Sequence, residues 1–235
     1  MIASGRCLDA ANSLAERALK HACARHRLFE RLAGATLSPE QLVRLLVNYG
    51  AHAALLRRLL LKAAAAMPEK AVGFVLENVR NEYGNGQWSR SHGLQVLDLI
   101  AILKERFAIP ESRCSGIEDG VKLYMRSVVA WYLPPSLSGL YRPAVTAGAI
   151  TATEIMAIEE FAAMQKAFAL YGLADHIWFD HVVVEAEHAD ESLALVQYFL
   201  PKHQTSVEHG LAGVLEANLH LYDGLLSAIE KEGSC

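Results

Sequence analysis

Nowhere along the chain does a run of Val, Ile or Thr alternate with polar residues, the pattern a half-buried strand requires. Ala and Leu, both strong helix formers, dominate almost every segment instead. An all-α fold is therefore predicted. With 235 residues, 52% of them hydrophobic, the chain can bury one substantial core. No repeat of fixed period and no low-complexity linker divides it, so a single helical domain over residues 1–235 is expected.

The clearest helix start is LSPEQL, where Ser38 can cap, Pro39 takes the first helical position and Gln41 completes a capping box. That helix should run to about Met67. An earlier one is predicted over about residues 7–33, ending near Gly34. Others follow at about 68–82, 88–107, 117–132 and 143–171, then one carrying His181 and a last one over 204–230. The count predicts a bundle of seven to eight helices.

Charge and cysteine usage exclude several functions. The net charge is −4, and the basic groups (residues 25–27, Arg57–Arg58) are short, which leaves no footprint for nucleic acid or an anionic membrane. Arg57, Arg58 and Lys62 interrupt the longest apolar run, so no membrane span is expected. The N-terminus mixes charges into its apolar residues and does not resemble a signal peptide. Cysteines at 7, 23, 114 and 235 stand far apart, as free thiols of a cytoplasmic protein would, and no C-x-x-C offers a zinc or redox site.

The segment WFDHVVVEAEHADES, residues 178–192, holds the densest chemistry. At about 100° per residue, His181, Glu185 and His188 fall within roughly 60° of one another on a helix. Glu187, Asp190 and Glu191 fall on another side, free to meet water. A buried carboxylate costs several kcal/mol unless paired or metal-bound, and Glu and His projecting inward from facing helices are how helical bundles build metal sites. A His–Glu hydrogen-bond network on an amphipathic helix is the other reading.

One helix cannot complete a metal site. NEYGNGQWSRSH contributes Glu82 and His92, ten residues apart and about 80° out of register on a continuous helix. Gly84, Asn85 and Gly86 between them can break the helix and re-aim one side chain. On the helix AGAITATEIMAIEEFAAM, Glu154, Glu159 and Glu160 all have mostly apolar neighbours, and periodicity does not choose among them.

Taken in order, Glu82, His92, Glu154, His181, Glu185 and His188 resemble the ligand pattern of the haem-oxygenase-like diiron oxidases and oxygenases. That pattern is a Glu, a His about seven to ten residues on, a Glu on a later long helix, then H-x-x-x-D/E-x-x-H. The resemblance covers roughly residues 36–200. It selects Glu154 over its neighbours by the spacing to His181, and NEYGNG followed by a His is its most recognisable local feature.

The resemblance implies a haem-oxygenase-like fold with two iron ions held by the six residues and O₂ as co-substrate. It further implies oxidation of a small amino acid or a fatty or other carboxylic acid by C–H abstraction, with C–C cleavage, decarboxylation or a related rearrangement, in natural-product biosynthesis. An external electron donor and a homodimer are both compatible with it. The ligand chemistry agrees, since imidazole and carboxylate suit iron or manganese.

Some positions depart from the family. Glu185 stands where Asp is commoner, and its longer arm would reposition the second iron. Members that oxidise nitrogen often carry a further carboxylate on the preceding helix; GAHAALLRRLLLKAAAA has none, which points towards C–H or C–C chemistry. A branch that makes p-aminobenzoate sacrifices its own Tyr and Lys, and Met164 lies near where that Lys would fall, so that activity does not carry over.

Tyr49 and His52, on the helix facing the cluster, are candidates for substrate contact, with a structural role for each the favoured alternative, and Arg57, Arg58 and Arg142 are the available partners for a substrate carboxylate. Two other functions fit the scaffold: a metal-free enzyme, thiaminase-II-like or cofactor-assembling, and a non-catalytic helical binding protein. The thiaminase-like enzymes need a catalytic Cys, and none of the four cysteines lies in a matching motif.

Overall fold

The structure is a computed structural model that describes residues 5–111 and 114–231. Among the described residues are eight α-helices and no strand: α1 (Gly5–Lys20), α2 (Arg27–Gly34), α3 (Pro39–Ala66), α4 (Val72–Glu82), α5 (His92–Phe107), α6 (Asp119–Tyr132), α7 (Arg142–Ala169) and α8 (His181–Glu230). None of them is long and apolar enough to cross a membrane.

The start of α3 is as the sequence implies. Ser38 Oγ accepts from the Gln41 backbone N–H, the Gln41 side chain accepts from the Ser38 N–H, and Pro39 follows the cap. The expected helix over 7–33 is instead broken. The Nδ1 atoms of His21 and His26 accept the N–H groups of Cys23 and Leu28, so each ring caps the turn after it. Their Nε2 atoms face Glu216 and Asp223 of α8 at 3.2 and 3.1 Å. His176 repeats the device, capping Trp178 and reaching Asp98 at 3.2 Å. The helix expected from residue 88 likewise starts later, because a 3₁₀ turn at Trp88–Arg90 precedes α5.

α7 is buried on nearly every side, as a helix with no polar face must be. Its most extensive packing is against α8. Small residues bring these two backbones together: a Cβ at Gly148 would lie 2.0 Å from the Val207 carbonyl oxygen, and one at Gly210 would lie 1.9 Å from that of Val145. α6 crosses α8 at a second glycine pair, Gly120 and Gly224. α8 kinks at His203 (φ −136°, ψ 30°) two residues after Pro201, whose missing N–H interrupts the helical ladder. The sequence division between a helix carrying His181 and one over 204–230 corresponds to the two arms of this kinked helix.

Cys23 and Cys114 are both buried, and no disulfide occurs among the described residues. Cys235 and the side chain of Cys7 lie outside them. Asn48, buried in α3, accepts the Glu118 N–H at 2.7 Å and donates to the Gly116 carbonyl at 3.1 Å, tying the α5–α6 connection to α3.

The glycine crossing packs α7 against the second arm of α8. Gly210→Ala places a methyl against backbone that cannot move aside, so a loss of about 2 kcal/mol or more is expected. By thermal denaturation that is a drop of about 5 °C; an unchanged melting temperature would contradict the crossing.

Candidate metal centre

Glu82 is the last residue of α4, and the chain leaves the helix through three left-handed positions: Gly84 (φ 77°), Asn85 (φ 54°) and Gly86 (φ 84°). Gly84 tolerates no side chain, since a Cβ there would lie 2.3 Å from the Gln87 carbonyl oxygen. The turn folds the chain back so that α5 opens with His92, and Glu82 Oε1 meets His92 Nδ1 at 3.1 Å. The register mismatch of a continuous helix is thereby removed.

His181 opens α8 next to this pair. Its ring lies 3.8 Å, centroid to centroid, from that of His92 and stacks on Phe161 at 4.6 Å. His181 Nδ1 is hydrogen-bonded to the Trp178 carbonyl oxygen. A carbonyl only accepts, so the ring donates through Nδ1 and Nε2 keeps a lone pair. That atom is buried and has no hydrogen-bond partner among the described residues.

The other three residues form a second group. Ligand atoms of Glu154, Glu185 and His188 lie within 4.8 Å of one another, and all three residues are buried. His188 Nδ1 is 3.3 Å from Glu185 Oε2 and 3.7 Å from Glu154 Oε2. Asn78 Nδ2 donates to Glu154 Oε1 at 2.7 Å and holds that carboxyl from the far side. Glu185 brings a carboxylate oxygen to within 4.8 Å of one of Glu154.

Of the three acidic residues on α7, Glu159 is exposed and only Glu154 belongs to this group. Glu160 is buried elsewhere in the same cavity, where its carboxylate accepts the hydroxyl protons of Tyr49 (2.9 Å) and Tyr222 (2.6 Å).

The two groups differ electrostatically. Burial pushes the Glu82 carboxyl up, but His92, His181 and Arg57 outweigh it and hold it at about 2. Burial, and then the charge on Glu82, pushes Glu185 up to about 8. Burial and the neighbouring Glu185 push Glu154 upward too. Burial, and then His92, pulls His181 down to about 3, so its ring is neutral. Without a cation, the inner carboxyls hold protons in place of countercharge.

Three carboxylates and three imidazoles, with no thiolate among them, suit iron or manganese. A neutral imidazole oriented by a backbone carbonyl, with its other nitrogen unpartnered, is how metal-ligating histidines are held. The residues present therefore fit a metal centre.

Five of the six (Glu82, His92, Glu154, His181 and Glu185) line one cavity. α3 forms its facing wall with Tyr49, His52, Leu56 and Arg57. Of the three candidate arginines only Arg57 lines it, while Arg58 and Arg142 are exposed. Gly93 leaves room for the Arg57 guanidinium: a Cβ there would lie 2.7 Å from Nη2. The Tyr49 hydroxyl is committed to Glu160. Asn78 and Glu160 are the site residues whose roles the sequence did not reveal. The apolar neighbours of Glu160 were its one signal, and Asn78 gave none beyond lying one helical turn before Glu82.

A family described as iron-containing redox enzymes matches residues 43–219 of the chain. Among solved structures, the fold is similar to that of a CADD-like protein of unknown function from Nostoc punctiforme. The TM-score is 0.68 at 16% identity, over 96% of this chain and 100% of that one. No curated protein matches the sequence.

The inner carboxyls make stability depend on pH. Glu185, at about 8 in the fold against an ordinary 4.5, favours the fold fully at low pH and progressively less as pH rises through 8. His181 and His52, held near 3, act in the opposite direction, but their contribution is complete above the ordinary 6.5. Between these limits the carboxyls decide the sign. From pH 6.5 to 8.5 the metal-free protein should lose about 5 °C in melting temperature, and a saturating divalent cation should remove most of that loss. Glu185→Gln should flatten the metal-free profile; an unchanged slope would contradict this reading.

Proposed function

The chain belongs to the family of iron-containing redox enzymes, and we propose that it uses two iron ions and O₂ to oxidise a small carboxylic or amino acid. What most supports this reading is the meeting of two Glu/His groups at one cavity: Glu82, His92 and His181 in one, Glu154, Glu185 and His188 in the other, with all but His188 lining the cavity. Each triad would hold one ion. Bound ferrous ions supply the electrons that reduce O₂ and the oxidising power to remove a substrate hydrogen.

The protein's own groups would do the rest. Arg57 would hold the substrate carboxylate by paired N–H donors, which fixes the position of the C–H bond to be broken. Phe161, Trp178 and Leu56 line the cavity and would keep bulk water from the reacting centre. The protons on Glu154 and Glu185 would leave their carboxyl oxygens when a cation enters, so uptake would release protons. Asn78, with its hydrogen bond to Glu154 Oε1, would keep the other carboxyl oxygen turned towards His188. The absence of a carboxylate among cavity-lining residues of α3 supports C–H or C–C chemistry over nitrogen oxidation.

Anaerobic titration of the metal-free protein should show two Fe(II) bound per chain, and exposure to O₂ should produce a transient visible absorption. His181→Ala should bind one Fe(II) fewer, with its fold retained. Arg57→Gln should keep both ions and lose the ability of the acid substrate to speed decay of that absorption. Absence of iron uptake by the unaltered protein would favour the metal-free or scaffold functions and remove this one.

A further inference from the structure

His52 is left unexplained by the metal centre. It is 2% exposed, yet neither ring nitrogen has a hydrogen-bond partner among the described residues. The ring is held in edge contacts with Tyr49 (centroids 4.5 Å apart) and Tyr124 (5.5 Å), so it has little freedom to seek a partner elsewhere. Leaving a buried donor and acceptor unpaired costs on the order of 1–3 kcal/mol each, a penalty that Phe at the same position would avoid. Burial, followed by the charge on Arg57, keeps the ring neutral, so it offers one N–H and one lone pair. It lines the same cavity as the two triads and is not one of their members.

On α3, Tyr49, Ala53, Leu56 and Leu60 form a stripe along the cavity wall. His52 and Arg57 flank that stripe from opposite edges, about 140° apart around the helix and about 7.5 Å apart along it. A molecule lying along the stripe would be within reach of both. Building on the reading that this cavity takes a carboxylic acid, we propose that it selects acids with two polar ends. Arg57 holds the carboxylate, and His52 receives an uncharged hydroxyl some way along the chain. A plain alkyl acid leaves His52 unpaired and is disfavoured for that reason.

The test is calorimetric titration of anaerobic, Fe(II)-treated protein with hexanoate, heptanoate and octanoate, each compared with its ω-hydroxy derivative. At the best-fitting length the hydroxy acid should bind about tenfold more tightly than its parent. His52→Phe keeps the edge contacts and should abolish the preference while the parent acid still binds. His52→Gln retains a donor and an acceptor and should restore part of it. Arg57→Gln should weaken both members of each pair without changing their ratio. No preference in the unaltered protein, or a preference that survives in both His52 variants, overturns the proposal. If no acid binds while two Fe(II) are still taken up, the carboxylic-acid reading fails, and this inference fails with it.

Discussion

Two glutamate side chains, Glu154 and Glu185, are buried close together with one histidine beside both. Like charges this close, shielded from water, cannot both ionise without a compensating cation. The arrangement costs stability in the metal-free fold, and ordinary side-chain pairing does not relieve it: Asn78 satisfies one oxygen of Glu154 and adds no charge. Burial pushes both carboxyls upward, with the charge of Glu185 adding to the effect on Glu154 and that of Glu82 adding to the effect on Glu185, which reaches about 8. Glu82 is a few residues of packing away but stays ionised, because His92 lies 3.1 Å from it. Among the three candidate ligand carboxyls, Glu82 is thus ionised while Glu154 and Glu185 are pushed towards the protonated form, a distribution that a pair of divalent ions would reorganise.

The fold is arranged to hold that conflict in place. Gly148 and Gly210 let α7 meet the second arm of α8 backbone to backbone, and Thr151 ties α7 to the first arm through the Ser192 carbonyl, one turn from Glu154 and His188. The left-handed run through Gly84, Asn85 and Gly86 turns the chain so that the end of α4 and the start of α5 supply Glu82 and His92 together. The His176 cap sets the 3₁₀ turn that delivers Trp178, whose carbonyl orients His181. The turn and the cap are local in sequence, the helix crossing is not, and the turn and the cap position different ligands.

Much of this was legible in the sequence because it is local there too. The i, i+4, i+7 spacing of His181, Glu185 and His188 follows from helical geometry alone, and Ser38, Pro39 and Gln41 mark a helix start by their own hydrogen bonds. The break at residues 21–26 was not legible. Histidine is not among the usual capping residues, and His21 and His26 act as caps with their other ring nitrogens facing carboxylates about 200 residues away. The choice of Arg57 over Arg58 and Arg142, and the burial of Glu160 under two tyrosines, depend on how separate helices meet. Periodicity within one helix carries no record of that.

The most direct test is anomalous diffraction at the iron absorption edge from crystals grown anaerobically with Fe(II). The account expects two peaks in the cavity, about 3.5–4 Å apart, one beside Glu82, His92 and His181 and the other beside Glu154, Glu185 and His188. A single peak, or none at these six side chains, would contradict it.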